Sequence, residues 1–381
     1  RTHALVRGVQ VVRGQAVSSG GGAYHALRDA LPLLCLSASL EDEAAAVLKA
    51  LLPELPQLLD RAVPDAPLVD AEATRLRLLR TFEALLVRQG VPTALLLEDL
   101  QWADGESLAL VQRALAVSQG RPLLIVGTVR NDERPQLAEE LAGCAVLRLQ
   151  RLPSEDVAEL CRSMLGTPPP PALVALVTSE TEGNVFFVVE VMRALAEEAG
   201  SLAAVGQGAL PNHVLTGGIR AVLQRRLDRV PEPARPLLLL AAVAGRQIDA
   251  AMLRAIEPRL DEWLQTCADA AVLEVSEQRW RFAHDKLREA LLREIDPEQR
   301  PGLHLRIARA LEAAYPEAGA RAAELAYHFG EAGEVRAAAR YGSIAGEQAL
   351  RQGALAEAAA LLQQATARMS EDTAAIEWAR A

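Results

Sequence analysis

The segment Ala94-Leu95-Leu96-Leu97-Glu98-Asp99-Leu100-Gln101-Trp102-Ala103-Asp104 concentrates the chemistry of this 381-residue chain. An apolar run that ends in two adjacent acids can hold both carboxylates at the carboxyl end of a buried strand. That is the edge where parallel sheets bind ligands. One carboxylate can hold Mg²⁺ through water, since Mg²⁺ takes oxygen ligands. The other can polarise an attacking water. A plainer reading also stands: a strand followed by an acidic loop or a helix cap.

The elements around this segment must supply the strand and its neighbours. Leu5 to Arg13 alternates like a half-buried strand, and Ser18 to Gly22 reads as a loop. Helical stretches follow at 23–35, 42–60 and 70–89. Thr93 to Leu97 predicts a buried parallel strand, Pro122 to Thr128 a second and Ala145 to Leu149 a third, with a helix over 105–118 between the first two. Strands separated by helices imply a parallel sheet with crossover helices. Ser154 is expected to cap a helix running to Leu165, with Glu155 and Asp156 in its first turn. Prolines 168–171 break the chain, and two helices flank Glu182-Gly183-Asn184.

Gly200 to Gly218 reads as a linker. Several short helices and a small hairpin, Val272–Val275 with Trp280–Ala283, give residues 219–295 a winged-helix pattern. Residues 321–331, 334–351 and 354–369 read as Ala-rich helices joined at Gly333 and Gly353, with tetratricopeptide-like spacing.

Composition narrows the function classes. Half the residues are apolar, enough for real cores, and a chain of this length suggests roughly two to three domains. The net charge of -10 argues against a general nucleic-acid coat. Arg220, Arg225, Arg226, Arg229 and Arg235 could touch DNA phosphates, but the interleaved Asp228 and Glu232 favour a solvated face, so DNA is not expected to bind through this chain. Cys35, Cys144, Cys161 and Cys267 form no CxxC pair and read as buried apolar residues in a reducing cytosol, so a cytoplasmic location is expected. No apolar run reaches the roughly 18 residues of a membrane span.

The string LLLEDLQWAD followed by SLALV closely resembles the Walker B region of bacterial STAND ATPases, the signal-transduction ATPases with numerous domains found beside kinase, cyclase and LuxR-type regulator domains. The resemblance extends over residues 8–370. It implies an incomplete α/β parallel-sheet P-loop NTPase core at 1–150, a helical lid at 151–205, a winged-helix domain at 206–296 and a helical tetratricopeptide-like region at 297–381. It also implies ATP or ADP with Mg²⁺ as cofactors, and Glu98 and Asp99 as catalytic and metal-binding residues.

In Gly127-Thr128-Val129-Arg130, such ATPases keep a polar or Arg sensor for the terminal phosphate, which points to Thr128 and Arg130. Glu182-Gly183-Asn184-Val185-Phe186-Phe187 resembles the family's GNPFF segment near the adenine, with Val185 where Pro is usual. That points to Gly183 and Asn184. Asn184 also reads simply as a helix cap ahead of a Phe187, Val191, Leu195 core stripe. Arg281-Phe282-Ala283-His284-Asp285 resembles the family's FxHD segment, by which His284 would meet the nucleotide diphosphate; His284 and Asp285 also read as caps.

No G-x-x-x-x-G-K-[ST] loop occurs in the sequence, whose only lysines are Lys49 and Lys286. In the family that loop lies just upstream of the segment matching residues 5–30, so strand and loop are expected before Arg1. ATP hydrolysis is expected only with that loop present, and the intact acids argue against a degenerate homologue. The function implied is a nucleotide-dependent regulatory switch within a larger regulator or kinase, with protein partners on the helical tail and nucleotide-driven self-association. The alternatives are a non-hydrolysing interaction scaffold and a DNA-binding transcriptional regulator.

Overall fold

The computed structural model describes residues 2–18, 20–141, 143–205, 218–276, 279–316 and 318–380. The chain divides into two compact units, Arg1–Val146 with Tyr315–Ala381, and Leu147–Ala314. Most of the expected 200–218 linker lies outside the described residues.

The first unit is built on a parallel sheet of β1 (Gln10–Gln15), β2 (Thr93–Glu98) and β3 (Leu123–Gly127), in that order. Register partners such as Val12, Leu95 and Ile125 share one face. That face packs into a core with Leu27, Leu78, Phe82, Leu110 and Val111, contributed by the helices His25–Arg28, Ala71–Val87 and Gly105–Ser118. A three-stranded parallel sheet with crossover helices fits an α/β P-loop ATPase core.

The other face differs from what the apolar runs suggest. Leu124 and Val126 on β3 are 60% and 41% exposed. Arg13, Gln15, Leu96 and Glu98 are half-buried on the same face. β3 was expected to be buried on both sides because its run is continuously apolar; in fact it is the sheet's edge. Residues 145–149 form no strand, and Val146, Leu147 and Leu149 are exposed. β-branched and apolar composition alone does not make a strand without a neighbour to accept its ladder.

Smaller corrections follow from local geometry. The strand expected over Leu5–Arg13 begins only at Gln10, after a short helix Thr2–Val6. The 23–35 and 42–60 stretches each break into shorter helices. Cys144 is exposed, while Cys35, Cys161 and Cys267 are buried as expected, and burial pushes the Cys35 and Cys267 thiols up to about 12.

The helices Ala322–Glu331, Val335–Arg351 and Leu355–Arg380 belong to this first unit. Ala349, Ala354 and Ala358 join its core. The Tyr24 hydroxyl donates to the Gln352 carbonyl at 3.2 Å, and the Gln352 amide donates to the Ala50 carbonyl at 2.9 Å. Gly353, at φ +75°, lies so close to Ala71 and Arg75 that a Cβ would sit 2.5 Å from the Arg75 nitrogen.

The second unit packs the helices Ser154–Leu165, Pro171–Thr181 and Val185–Ala199 around Val157, Leu173, Val188, Val191 and Leu195. Ser154 turns out to be the first helical residue, with Pro153 in the cap position. Further helices and an antiparallel hairpin of β4 (Leu273–Ser276) and β5 (Arg279–Phe282) complete it. No helix among the described residues is long and apolar enough to cross a membrane.

Candidate functional site

β2 delivers Glu98 and Asp99 to the carboxyl end of the sheet, and the chain turns there. Asp99 adopts the left-handed conformation, φ 58°, which an Asp tolerates better than most residues. The turn is fixed from β3: the Asp99 N–H donates to the Thr128 hydroxyl at 3.1 Å, the Leu100 N–H to the Thr128 carbonyl at 2.9 Å, and the Thr128 N–H to the Leu97 carbonyl at 2.9 Å. Thr128 therefore touches the acids' turn.

Both acids are engaged from β1. Arg13 Nη2 lies 2.5 Å from Glu98 Oε1, and Gln15 Nε2 donates to Asp99 Oδ2 at 2.9 Å. Sequence reasoning missed Arg13 and Gln15. Their period-two spacing on a strand was visible, but only the register of β1 against β2 places them beside the acids.

Gln101 is 8% exposed; its Oε1 accepts from the Arg130 N–H at 3.1 Å, and its Nε2 has no hydrogen-bond partner. The Arg130 guanidinium lies 3.1 Å from Glu133, which also accepts from the Trp102 indole at 2.7 Å. Glu98, Asp99, Thr128 and Arg130 are thus gathered around one turn.

Asp104 caps the helix Gly105–Ser118, accepting from the Glu106 and Ser107 N–H groups at 3.0 and 2.9 Å. Burial alone raises its pKa. Hydrogen bonds from His25 and Ser107 outweigh that and hold it below the ordinary 3.8. His25 Nδ1 is 3.1 Å from the Asp104 carboxylate.

The remaining sequence candidates lie in the second unit. Asn184 accepts from the Phe186 and Phe187 N–H groups at 3.1 and 3.4 Å, a helix cap. The core stripe behind it runs through Val188, Val191, Met192 and Leu195, and Phe187 is only half-buried. Gly183 has φ +74°, and a Cβ there would collide with the Leu152 carbonyl. His284 caps the helix Asp285–Glu294 by accepting from the Lys286 N–H at 3.1 Å. Its ring stacks on Phe186. Burial, foremost, lowers its pKa from 6.5. Nearby, Arg226 is 2.5 Å from Glu190, both nearly buried, and Arg226 also donates to the Ala271 carbonyl. Arg226 is therefore not part of a solvated basic face, while Arg229 pairs with Glu197 and Arg235 with Asp228.

Among the described residues no three His, Cys, Asp or Glu side chains converge to hold a metal by themselves. The Glu98–Asp99 pair nonetheless suits Mg²⁺, which takes one or two carboxylates and completes its shell with water and phosphate oxygens. Glu98 is paired with Arg13 in this structure, a partner that a metal at Glu98 would have to share or displace.

Residues 2–126 match the family model of the AAA ATPase domain. The chain is 28% identical over 326 residues to an uncharacterized protein of Rhizobium meliloti (strain 1021), covering 78% of this chain and 30% of that protein. The chain thus spans about 30% of the length of that curated relative. Among solved structures, it resembles a Pyrococcus horikoshii STAND protein with a tetratricopeptide repeat sensor, with a TM-score of 0.40 and 13% identity over 98% of this chain and 64% of that one. A Walker-type ATPase of Pyrococcus abyssi gives a TM-score of 0.32 and 13% identity over 76% of this chain and 86% of that one. Both structural likenesses are distant.

Proposed function

We propose that the chain is the core of a nucleotide-dependent regulatory switch, binding ATP and ADP with Mg²⁺ through the turn that follows β2. The observation that carries this reading is the pair Glu98 and Asp99 at the carboxyl end of a parallel strand, with Thr128 and Arg130, just beyond the adjoining strand, brought to the same turn. The match of residues 2–126 to an AAA ATPase domain supports it.

In this reading one carboxylate of the Glu98–Asp99 pair would hold Mg²⁺, and the other would accept a proton from the attacking water. Bound Mg²⁺ would supply neutralising charge for the phosphate oxygens. Thr128 fixes the orientation of Asp99, and Arg130 offers a permanently charged guanidinium to the terminal phosphate. Gly183, Asn184 and His284 would also bind nucleotide, and the region 206–296 would act as a winged-helix element that sets the state of the switch. The helices 322–380 would receive protein partners.

The phosphate cradle is not among these 381 residues. In this reading the cradle would seat beside β3. A parallel sheet is stable with both faces covered, yet β3 is an edge with Leu124 and Val126 exposed. A further strand beside β3, with a phosphate loop and a helix over that face, would cover them and bring backbone N–H groups to Arg130 and the acids.

The test is ATP turnover and ADP retention by the full-length protein, with Glu98→Gln as the variant. Mg²⁺-dependent turnover abolished in the variant is expected. Turnover and ADP retention unchanged by Glu98→Gln would instead favour an interaction scaffold. The 381-residue chain by itself is expected to bind ATP poorly and to turn it over negligibly.

A further inference from the structure

Arg130 is held from three directions. Its N–H donates to buried Gln101 at 3.1 Å. Its carbonyl accepts from the Glu133 and Arg134 N–H groups at 3.2 and 3.1 Å, closing a turn that carries Glu133 back over the guanidinium. Its Nε lies 3.1 Å from Glu133 Oε1, with Asp132 further off at 3.9 Å. The other Glu133 oxygen accepts from the Trp102 indole at 2.7 Å. Trp102 belongs to the short 3-10 turn that directly follows Asp99.

The backbone of Arg130 is thus fixed while its charged end rests on a carboxylate. Arg130 and Glu133 are 36% and 34% exposed, so this pair is within reach of solvent and of ligands. A phosphoryl oxygen offers a guanidinium the same charge-assisted bond that a carboxylate does. The two anions therefore compete for one cation.

We propose that Glu133 is a positioning residue that parks Arg130 until a terminal phosphate displaces it, and that Trp102 registers the exchange through its shared carboxylate. This rests on the reading of the Glu98–Asp99 turn as a nucleotide site. In the parked state Glu133 neutralises Arg130. When ATP takes the guanidinium, Glu133 keeps Trp102 alone, and the charge beside the indole changes. The relay joins the turn after β2 to the end of β3 through side chains, in addition to the Thr128 bonds. ADP, lacking the terminal phosphate, leaves the parked pair in place.

The experiment titrates ATP and ADP, each with Mg²⁺, into full-length wild-type protein and the Glu133→Gln variant. The emission of Trp102 is isolated as the difference from Trp102→Phe. Glu133→Gln should bind ATP about two- to fivefold more tightly, the range for losing a partly exposed ion pair, with ADP affinity unchanged. Trp102 emission should shift on ATP but not ADP in the wild type, and that shift should be lost in Glu133→Gln. In an Arg130→Gln background Glu133→Gln should have no further effect on ATP affinity, which separates the exchange from a general loss of structure. If wild-type protein binds neither nucleotide, the nucleotide-site reading falls and the inference falls with it. If wild type binds ATP but Glu133→Gln changes ATP and ADP affinity equally, or keeps its gain without Arg130, the parking role alone is overturned.

Discussion

The His284 ring lies 3.5 Å from the Phe186 ring, centroid to centroid, with the planes 13° apart. Two segments almost a hundred positions apart in the chain, each picked out by its own sequence motif, meet at this stack. Around it stand Asp285 and Glu190, which favour a charged imidazole, and Arg246 and Lys286, which oppose one.

Burial is the largest influence on His284 and lowers its pKa from 6.5. The sign of the stability effect follows. The unfolded chain takes up the proton first as pH falls, so the stabilisation present above 6.5 is lost as pH drops through the lower folded value. Asn at position 284 keeps a side-chain cap without a titrating group. Urea unfolding followed by Trp263 and Trp280 fluorescence should show wild type losing more stability than His284→Asn between about pH 7.5 and about pH 5.5. Equal losses would show that the imidazole is not buried as described.

Gly183 offers a test of structure against chemistry. Its φ of +74° and the close Leu152 carbonyl leave no room for a Cβ. Gly183→Ala should destabilise the second unit by roughly 2–4 kcal/mol, from left-handed strain plus displacement of Leu152. A denaturation midpoint unchanged by Gly183→Ala would contradict this packing.

If Mg²⁺ binds at Glu98 as proposed, Arg13, which is paired with that carboxylate, would compete with it. Arg13→Gln should lower the Mg²⁺ concentration for half-maximal turnover of the full-length protein by about two- to fivefold, the scale of a partly exposed ion pair. A higher Mg²⁺ requirement would mean that Arg13 instead orients Glu98 for the metal.

Asp104 holds the helix Gly105–Ser118 and pairs with His25. Asp104→Ala should cost about 1–2 kcal/mol for the lost cap. Its depressed pKa adds stability that is present above 3.8 and lost as pH falls below it, because the unfolded carboxyl protonates first. Acid unfolding of Asp104→Asn should therefore be less steep below about pH 4 than that of wild type.

Local rules were readable in the residues themselves. The apolar run from Thr93 to Leu97, the acids that follow it and the helix over 105–118 each depend on neighbours within a few positions, and all three appear as the patterns predict. The caps at Asn184 and His284 belong to the same class, since a cap satisfies N–H groups two or three residues ahead. The tertiary structure alone decided the rest. Arg13 reaches Glu98 across 85 positions because β1 and β2 align in register, and nothing in either segment encodes that register. Tyr24 meets Gln352 across 328 positions, where the helical tail packs within the first unit. The apolar run of β3 reads as doubly buried, yet its neighbours leave Leu124 and Val126 exposed. Hydrophobic periodicity states which side chains should leave water. Only the assembled chain settles whether a partner is there to cover them.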